Sequence, residues 1–230
     1  INIQPEELID YELGWKYNAE KFFFNSNLYY MGYKNQLVLT GALDDVGSPI
    51  RENSGKSYRT GIEIESVYKA TNKLNISANI SLSENKNVDY KTNYNGVITD
   101  WGDTDISFSP NVISSAGIQF SASQDLTFTL LNKFVGNQYM SNTESNISKL
   151  SSYSTTDLNI LYTIKNSAYF SEIIVTAMIN NIFNKEYVSN GYYYTYDDTW
   201  SDPNLITTIE GTGYYPQAKR NFLLGLTFKL

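Results

Sequence analysis

The sequence predicts an all-β fold, a transmembrane antiparallel β-barrel of which about nine strands are present. Three observations lead there. Apolar side chains recur at every second residue through segments of about ten, the connections alternate between short and long, and no apolar run approaches the roughly 18 residues of a membrane helix. The closing segment shows the first of these: Phe222, Leu224, Leu226, Phe228 and Leu230 alternate with Leu223, Gly225, Thr227 and Lys229. Such a row needs an apolar medium on one side, either a protein core or a bilayer.

Each strand has its own pattern. The first sets Tyr11, Leu13, Trp15 and Tyr17 against Glu12, Gly14 and Lys16. The second, over about residues 22–37, puts Asn25 and Asn27 on one face and Leu28 and Tyr30 on the other. In the third, Tyr58, Ile62, Ile64 and Tyr68 oppose Arg59, Gly61, Glu63, Glu65 and Lys69. The fourth is the cleanest, with Leu74, Ile76, Ala78, Ile80 and Leu82 opposite Asn75, Ser77, Asn79, Ser81 and Ser83. The fifth carries Val112, Ala116, Ile118 and Phe120; the sixth, Leu126, Phe128, Leu130 and Phe134. Leu158, Ile160, Tyr162 and Ile164 mark the seventh, Ile173, Val175, Ala177 and Ile179 the eighth, and the closing segment the ninth.

Short turns fall at "NAEK" (18–21), "TNK" (71–73), "SQD" (123–125) and "KNSA" (165–168), all rich in residues that tolerate turn geometry. Long loops are expected at residues 38–56, 84–110, 138–151 and 184–217. A soluble sandwich would place turns every 8–12 residues or so. Strands of ten residues or more instead match the length that crosses a bilayer at a tilt, and alternating connections match tight periplasmic turns and long extracellular loops. The charges of Lys16, Arg59, Glu63, Glu65, Lys69 and Lys133 all fall opposite the apolar rows, where a wet or plugged lumen accepts them. Tyr11, Trp15, Tyr17, Tyr58 and Tyr68 near strand ends fit interfacial girdles.

Composition removes several functions. The chain has 20 Tyr and 3 Trp but no Cys and no His, so a disulfide framework, a Ser-His-Asp triad and an imidazole-bound metal are all excluded. An enzyme is disfavoured for the same reason. A net charge of −7 without a Lys/Arg cluster argues against nucleic acid. The start "INIQPEELID" has no signal-peptide pattern, and an odd strand count suggests a piece of a longer chain, because single-chain bacterial barrels have even numbers.

Six segments together, "YELGWKY", "LYYMGYKNQLV", "SYRTGIEIE", "KLNISANISLSENK", "INNIFNKEYV" and "YYPQAKRNFLLGLTFKL", closely resemble successive strands in the C-terminal half of TonB-dependent outer-membrane receptors. The resemblance spans essentially the whole chain. It implies that residues 1–230 are the C-terminal portion of a barrel of about 22 strands, in the bacterial outer membrane, with a plug domain absent from this chain. It also implies active import of a scarce nutrient, foremost a ferric siderophore or other iron complex. The implied partners are outer-membrane lipid, the rest of the barrel and plug, and, through that plug, the TonB-ExbB-ExbD system. No cofactor is implied. "GLTFKL" looks like the assembly signal read by the insertion machinery, with Gly225, Phe228 and Leu230 at matching positions; it departs from the pattern at Leu223 and in ending on Leu. The alternative is a passive porin or surface adhesin barrel with the same patterning.

Candidate ligand contacts concentrate in "GYYYTYDDTW", where Tyr192, Tyr193, Tyr194, Tyr196 and Trp200 offer rings and hydroxyls for stacking on a catecholate, haem-like or sugar ligand. Tyr139, Trp101 and Tyr94 lie in other long loops. Ordinary packing of the loops is the competing reading. Asp100, Asp103 and Asp105, and Asp197, Asp198 and Asp202, hold oxygen ligands for calcium but match no defined calcium-loop spacing, so they read as solvated charge. "NIS" at Asn75, Asn79 and Asn146 resembles a glycosylation sequon, and the first two read as polar lumen residues.

Overall fold

The computed structural model describes residues 3–44, 46–94, 97–165, 169–202, 205 and 207–230. Its strands in chain order are β1 (Glu7–Asn18), β2 (Phe22–Lys34), β3 (Leu37–Leu43), β4 (Pro49–Asn53), β5 (Lys56–Thr71), β6 (Leu74–Tyr94), β7 (Val97–Asp105) and β8 (Val112–Ser121). There follow β9 (Leu126–Val135), β10 (Gln138–Tyr139), β11 (Lys149–Leu150), β12 (Tyr153–Lys165), β13 (Glu172–Asn180), β14 (Val188–Asp198), β15 (Thr207–Pro216) and β16 (Asn221–Lys229). One antiparallel sheet runs β1-β2-β5-β6-β8-β9-β12-β13-β16, each strand beside its predecessor in the wall, and β7 extends β6. These nine are the nine strands expected from alternation. The ends β1 and β16 do not pair with each other, so the sheet is an arc of a barrel.

Register turns the separate rows into one surface. Phe22, Tyr68, Ile76, Ile118, Leu130, Leu158, Ile179 and Phe222 face one another in succession across eight strands. A second row, Leu13, Leu28, Ile62, Leu82 and Val112, crosses five. On the opposite face Lys16, Asn25, Glu65, Asn79, Ser115, Lys133 and Thr155 form a polar row in the same manner. Because side chains alternate with period two, such pairing holds each of these rows to one face.

That face is open. Leu13 is 70 % exposed and Leu224 is 73 % exposed, which rules out a sandwich, where a second sheet would cover these rows. In a membrane barrel hydrocarbon covers them. Trp15, Tyr17, Phe22 and Phe24 cluster beside the first short turn, with ring centroids 5.3 to 6.5 Å apart. Tyr30 and Tyr58 stack at 6.2 Å toward the long-loop end. Aromatic rings therefore mark both borders of the apolar band. The apolar face also carries small hydroxyls, among them Ser26, Ser66 and Ser114, and the amide of Asn132, which donates to Ser154 Oγ, the Thr155 carbonyl and Thr156 Oγ1, so both of its protons are satisfied within the sheet.

The turns at residues 18–21, 71–73 and 123–125 lie between wall strands as expected; residues 166–168 of the fourth fall outside the described residues. The long connections differ from the expectation of irregular loops. The second strand ends at Lys34, where Asn35 adopts φ 59°, and the chain leaves the wall to form β3 and β4. Residues 84–110 continue as a tall β6-β7 hairpin, and residues 188–216 form the hairpin β14-β15. A separate sheet, β15-β14-β3-β4, results. Turn-rich composition hid these strands, whose partners are themselves loop segments.

Candidate functional site

Of the buried apolar residues among those described, Val38, Tyr90, Ile106, Met140 and Leu150 come from the long connections, and Val135 ends wall strand β9. The first five form the interior of a cap at one end of the wall. At Asp89 the backbone adopts φ 49° and the β6-β7 register shifts between Asn87 and Tyr90. A bulge of this kind re-aims side chains, and both Asn87 and Tyr90 are fully buried.

Polar bonds join the pieces. Asn142 donates from Nδ2 to the Leu39 carbonyl at 2.9 Å, and its Oδ1 accepts from Asn87 Nδ2 and the Ser107 N–H. Asn142 is 1 % exposed. One side chain thus ties three connections together: β3-β4, β6-β7 and the segment of residues 138–151. Lys86 holds Asp105 at 2.7 Å. Glu210 accepts from the Tyr193 hydroxyl at 2.6 Å and from Ser145 Oγ at 3.1 Å, and the Tyr214 hydroxyl donates to the Ile147 carbonyl. Burial, then the Glu210 carboxylate, pushes the Tyr193 phenol well above its ordinary range, so it remains a hydroxyl donor. Glu52 on β4 is also raised, by burial.

On β14 the tyrosines divide by parity. Tyr193 turns toward Glu210, whereas Tyr192, Tyr194 and Tyr196 share the other face. Tyr192 and Tyr194 stack at 6.2 Å, Tyr194 and Tyr196 at 6.4 Å, and Tyr196 and Trp200 at 6.1 Å with planes 8° apart. Tyr215 adds a fifth ring, 6.0 Å from Tyr192. Opposite the ladder stand Gly213 and Gly211, paired with Tyr192 and Tyr194. A Cβ on Gly213 would lie 2.2 Å from the Tyr192 ring, and one on Gly211 would lie 2.4 Å from that of Tyr194. Two glycines therefore serve as shelves on which the rings lie flat, leaving the other ring faces open. Tyr192 is 50 % exposed and Trp200 70 %.

The residues expected to contact ligand thus separate. Tyr192, Tyr194, Tyr196 and Trp200 come together, Tyr193 props the hairpin from behind, and two others lie elsewhere. Trp101 sits on β7 and donates its indole N–H to Thr92 Oγ1. Tyr139 is half-buried on β10, with Lys149 Nζ 5.6 Å from its ring centre. The side chain of Tyr94 lies outside the described residues. Tyr215, Gly211 and Gly213 were not expected at the site; the signal was present in the alternate glycines of "EGTG", which oppose alternate tyrosines.

The loop carboxylates have protein partners. Asp100 accepts from the Gly102 N–H and pairs with Lys91, and these hold its carboxyl below the usual range. Asp103 accepts from the Asp89 N–H. Asp198 accepts from the N–H groups of Trp200 and Ser201, and bonding to Ser201 keeps its carboxyl low. Among the described residues no three acidic side chains converge as metal ligands.

On the luminal side, Arg59 donates to Asn85 Oδ1 and Ser109 Oγ, and Asn27 donates to Glu12. These polar groups line a concavity of about 320 Å³ together with Glu63 and Phe108. A sheet apolar outside, polar inside and capped at one end by a structured aromatic hairpin defines the chain as part of a transmembrane β-barrel of receptor type. Residues 1–182 match the family described as TonB dependent receptor-like, beta-barrel. The chain belongs to that family.

No curated protein sequence matches the chain. Solved structures do. The siderophore receptor PiuA from Acinetobacter baumannii superposes with a TM-score of 0.67 over 97 % of this chain and 28 % of its own, at 17 % identity. The copper transporter OprC gives 0.69 over 99 % of this chain and 32 % of its own, at 16 % identity. The ferric-catecholate import receptor Fiu from K12 E. coli, in its closed form, gives 0.66 over 96 % and 27 %, also at 16 % identity. At such identities the likeness concerns the fold. The chain spans about a third or less of the length of these proteins.

Proposed function

We propose that residues 1–230 are the C-terminal portion of a TonB-dependent importer of the bacterial outer membrane, which takes up an iron complex such as a ferric siderophore. The observation that carries this reading is the pairing of two surfaces in one family member: a bilayer-facing wall and a cap that presents a ladder of exposed rings. In this reading the polar luminal face meets a plug domain supplied by another part of the receptor, and the plug couples to TonB-ExbB-ExbD. The open β16 edge, with Gly225, Phe228 and Leu230, carries the assembly signal and closes the barrel against a strand outside this chain. Tyr192, Tyr194, Tyr196 and Trp200 contact the ligand; Tyr139 and Trp101 are secondary contacts.

The test is uptake of radiolabelled ferric chelates by cells with the receptor gene intact, deleted, or intact in a background lacking TonB. Import that requires both the receptor and TonB supports the reading. Uptake that persists without TonB identifies a passive porin and overturns it.

A further inference from the structure

The aromatic hairpin carries a second property, its charge, and this restricts what can dock on it. Residues 187–218 contain no Lys or Arg but include Asp197, Asp198, Asp202 and Glu210. Asp198 is held ionised by the N–H groups beside it. Several cations near it are engaged elsewhere, Lys91 with Asp100, Lys86 with Asp105 and Lys219 with Glu186, while Arg51 on β4 and Lys185 ahead of β14 lie off the hairpin itself. Arg59 is committed to Asn85 and Ser109, and Lys149 to the ring of Tyr139. The open ring faces add to this field, since an aromatic face is the negative pole of its quadrupole.

Resting on the reading that the cap receives an iron complex, we propose that the ladder of Tyr192, Tyr194, Tyr196 and Trp200 selects a ferric chelate of zero or positive net charge. Three hydroxamates neutralise ferric iron, and an added amine makes the complex cationic. Three catecholates leave a trianion, which would approach stacked ring faces and Asp198 on the ladder's own face, with Asp197 and Glu210 on the face behind and no cation on the hairpin to receive it. Like-charge juxtaposition of this kind rejects wrong ligands and slows their encounter. The ladder attracts the first class through cation-π contact and flat apolar packing.

The experiment uses the complete receptor in the outer membrane of cells lacking other iron receptors. The probes are the cationic ferric trihydroxamate of desferrioxamine B and the trianionic ferric tris-catecholate of enterobactin. The trihydroxamate is expected to bind and enter; Trp200→Ala and Tyr196→Ala should each weaken its binding by roughly 3- to 10-fold, on the scale of one exposed cation-π contact. Trp200 is 70 % exposed, so its truncation leaves the fold intact. Asp198→Lys, on the ladder's own face, should weaken the trihydroxamate and strengthen the tris-catecholate. Uptake of the tris-catecholate by the parent receptor in preference to the trihydroxamate overturns the inference while leaving iron import standing. Failure of both chelates, with TonB intact, overturns the inference; iron import falls with it only where no other ferric chelate enters in a TonB-dependent manner.

Discussion

Wall and cap are both all-β, yet they are held together by opposite means. The wall has its apolar residues on the outside, in register across up to eight strands, and hardly any buried side chains of its own. Its backbone hydrogen bonds are satisfied strand to strand, and the bilayer supplies the apolar medium. The cap has a small interior of Val38, Tyr90, Ile106, Met140 and Leu150, stitched by Asn142 and Glu210. It is built as a water-soluble domain is, with apolar residues inside and polar bonds between segments. One chain thus obeys two burial rules, and the border between them lies near residues such as Asn35, where β2 gives way to β3.

Substitutions can separate the two rules. The largest effect is expected in the wall. Leu28 lies midway along β2 on the apolar face, so Leu28→Arg should lower stability by about 4 kcal/mol, read by denaturant titration of the full receptor in lipid vesicles. The neighbouring luminal Asn27→Arg should change it little, because the luminal face is wet. If both variants were equally stable, the wall would not face lipid.

In the cap, Gly213→Ala places a methyl against the Tyr192 ring. It should cost about 2 kcal/mol by overpacking, seen as faster protease cleavage within residues 188–216 with unchanged stability of the wall. Asn142→Ala leaves the Leu39 carbonyl and the Ser107 N–H without their partner and takes from Asn87 one of its two acceptors, Thr104 Oγ1 remaining. About 1.5 kcal/mol should be lost, and hydrogen exchange should quicken together in β3, around Asn87 of β6 and Ser107, and in residues 138–151, which share that one amide.

The smallest effect is pH-dependent. Burial raises the Glu52 carboxyl above its ordinary 4.5. The folded cap therefore holds that proton more tightly than the unfolded chain does, and the contribution of this one group to stability is greatest below 4.5 and is lost as pH rises through the raised folded value. Glu52→Gln should abolish the decline and make the cap slightly more protease-resistant than the parent at neutral pH.

The wall was legible because its signal is local and repeated. Leu74 to Leu82 alternate with Asn75 to Ser83 within a single segment, and the polar partners leave one assignment open. The cap was legible in composition but not in form. The rings of residues 192–200 were visible as a cluster, whereas their division by parity, with Tyr193 behind and Tyr194 in front, depends on β14 being a strand at all. Tyr215 and the two glycine shelves joined the site only through pairing with β15. Trp101 and Tyr139 resembled the ladder residues in type and loop position, but partners on their own facing strands, Thr92 and Lys149, hold them elsewhere.

The register that locks eight strands has a consequence for how the chain can vary in length. One residue inserted within β6 would reverse the sidedness of everything beyond it, turning serines and asparagines toward hydrocarbon; two inserted residues would preserve sidedness and only shift the stagger. The hairpins of the cap are free of this arithmetic at their tips, where whole segments can be added or lost without disturbing a neighbour. The cap's surface can therefore be remodelled by lengthening or trimming, while the wall beneath keeps its count.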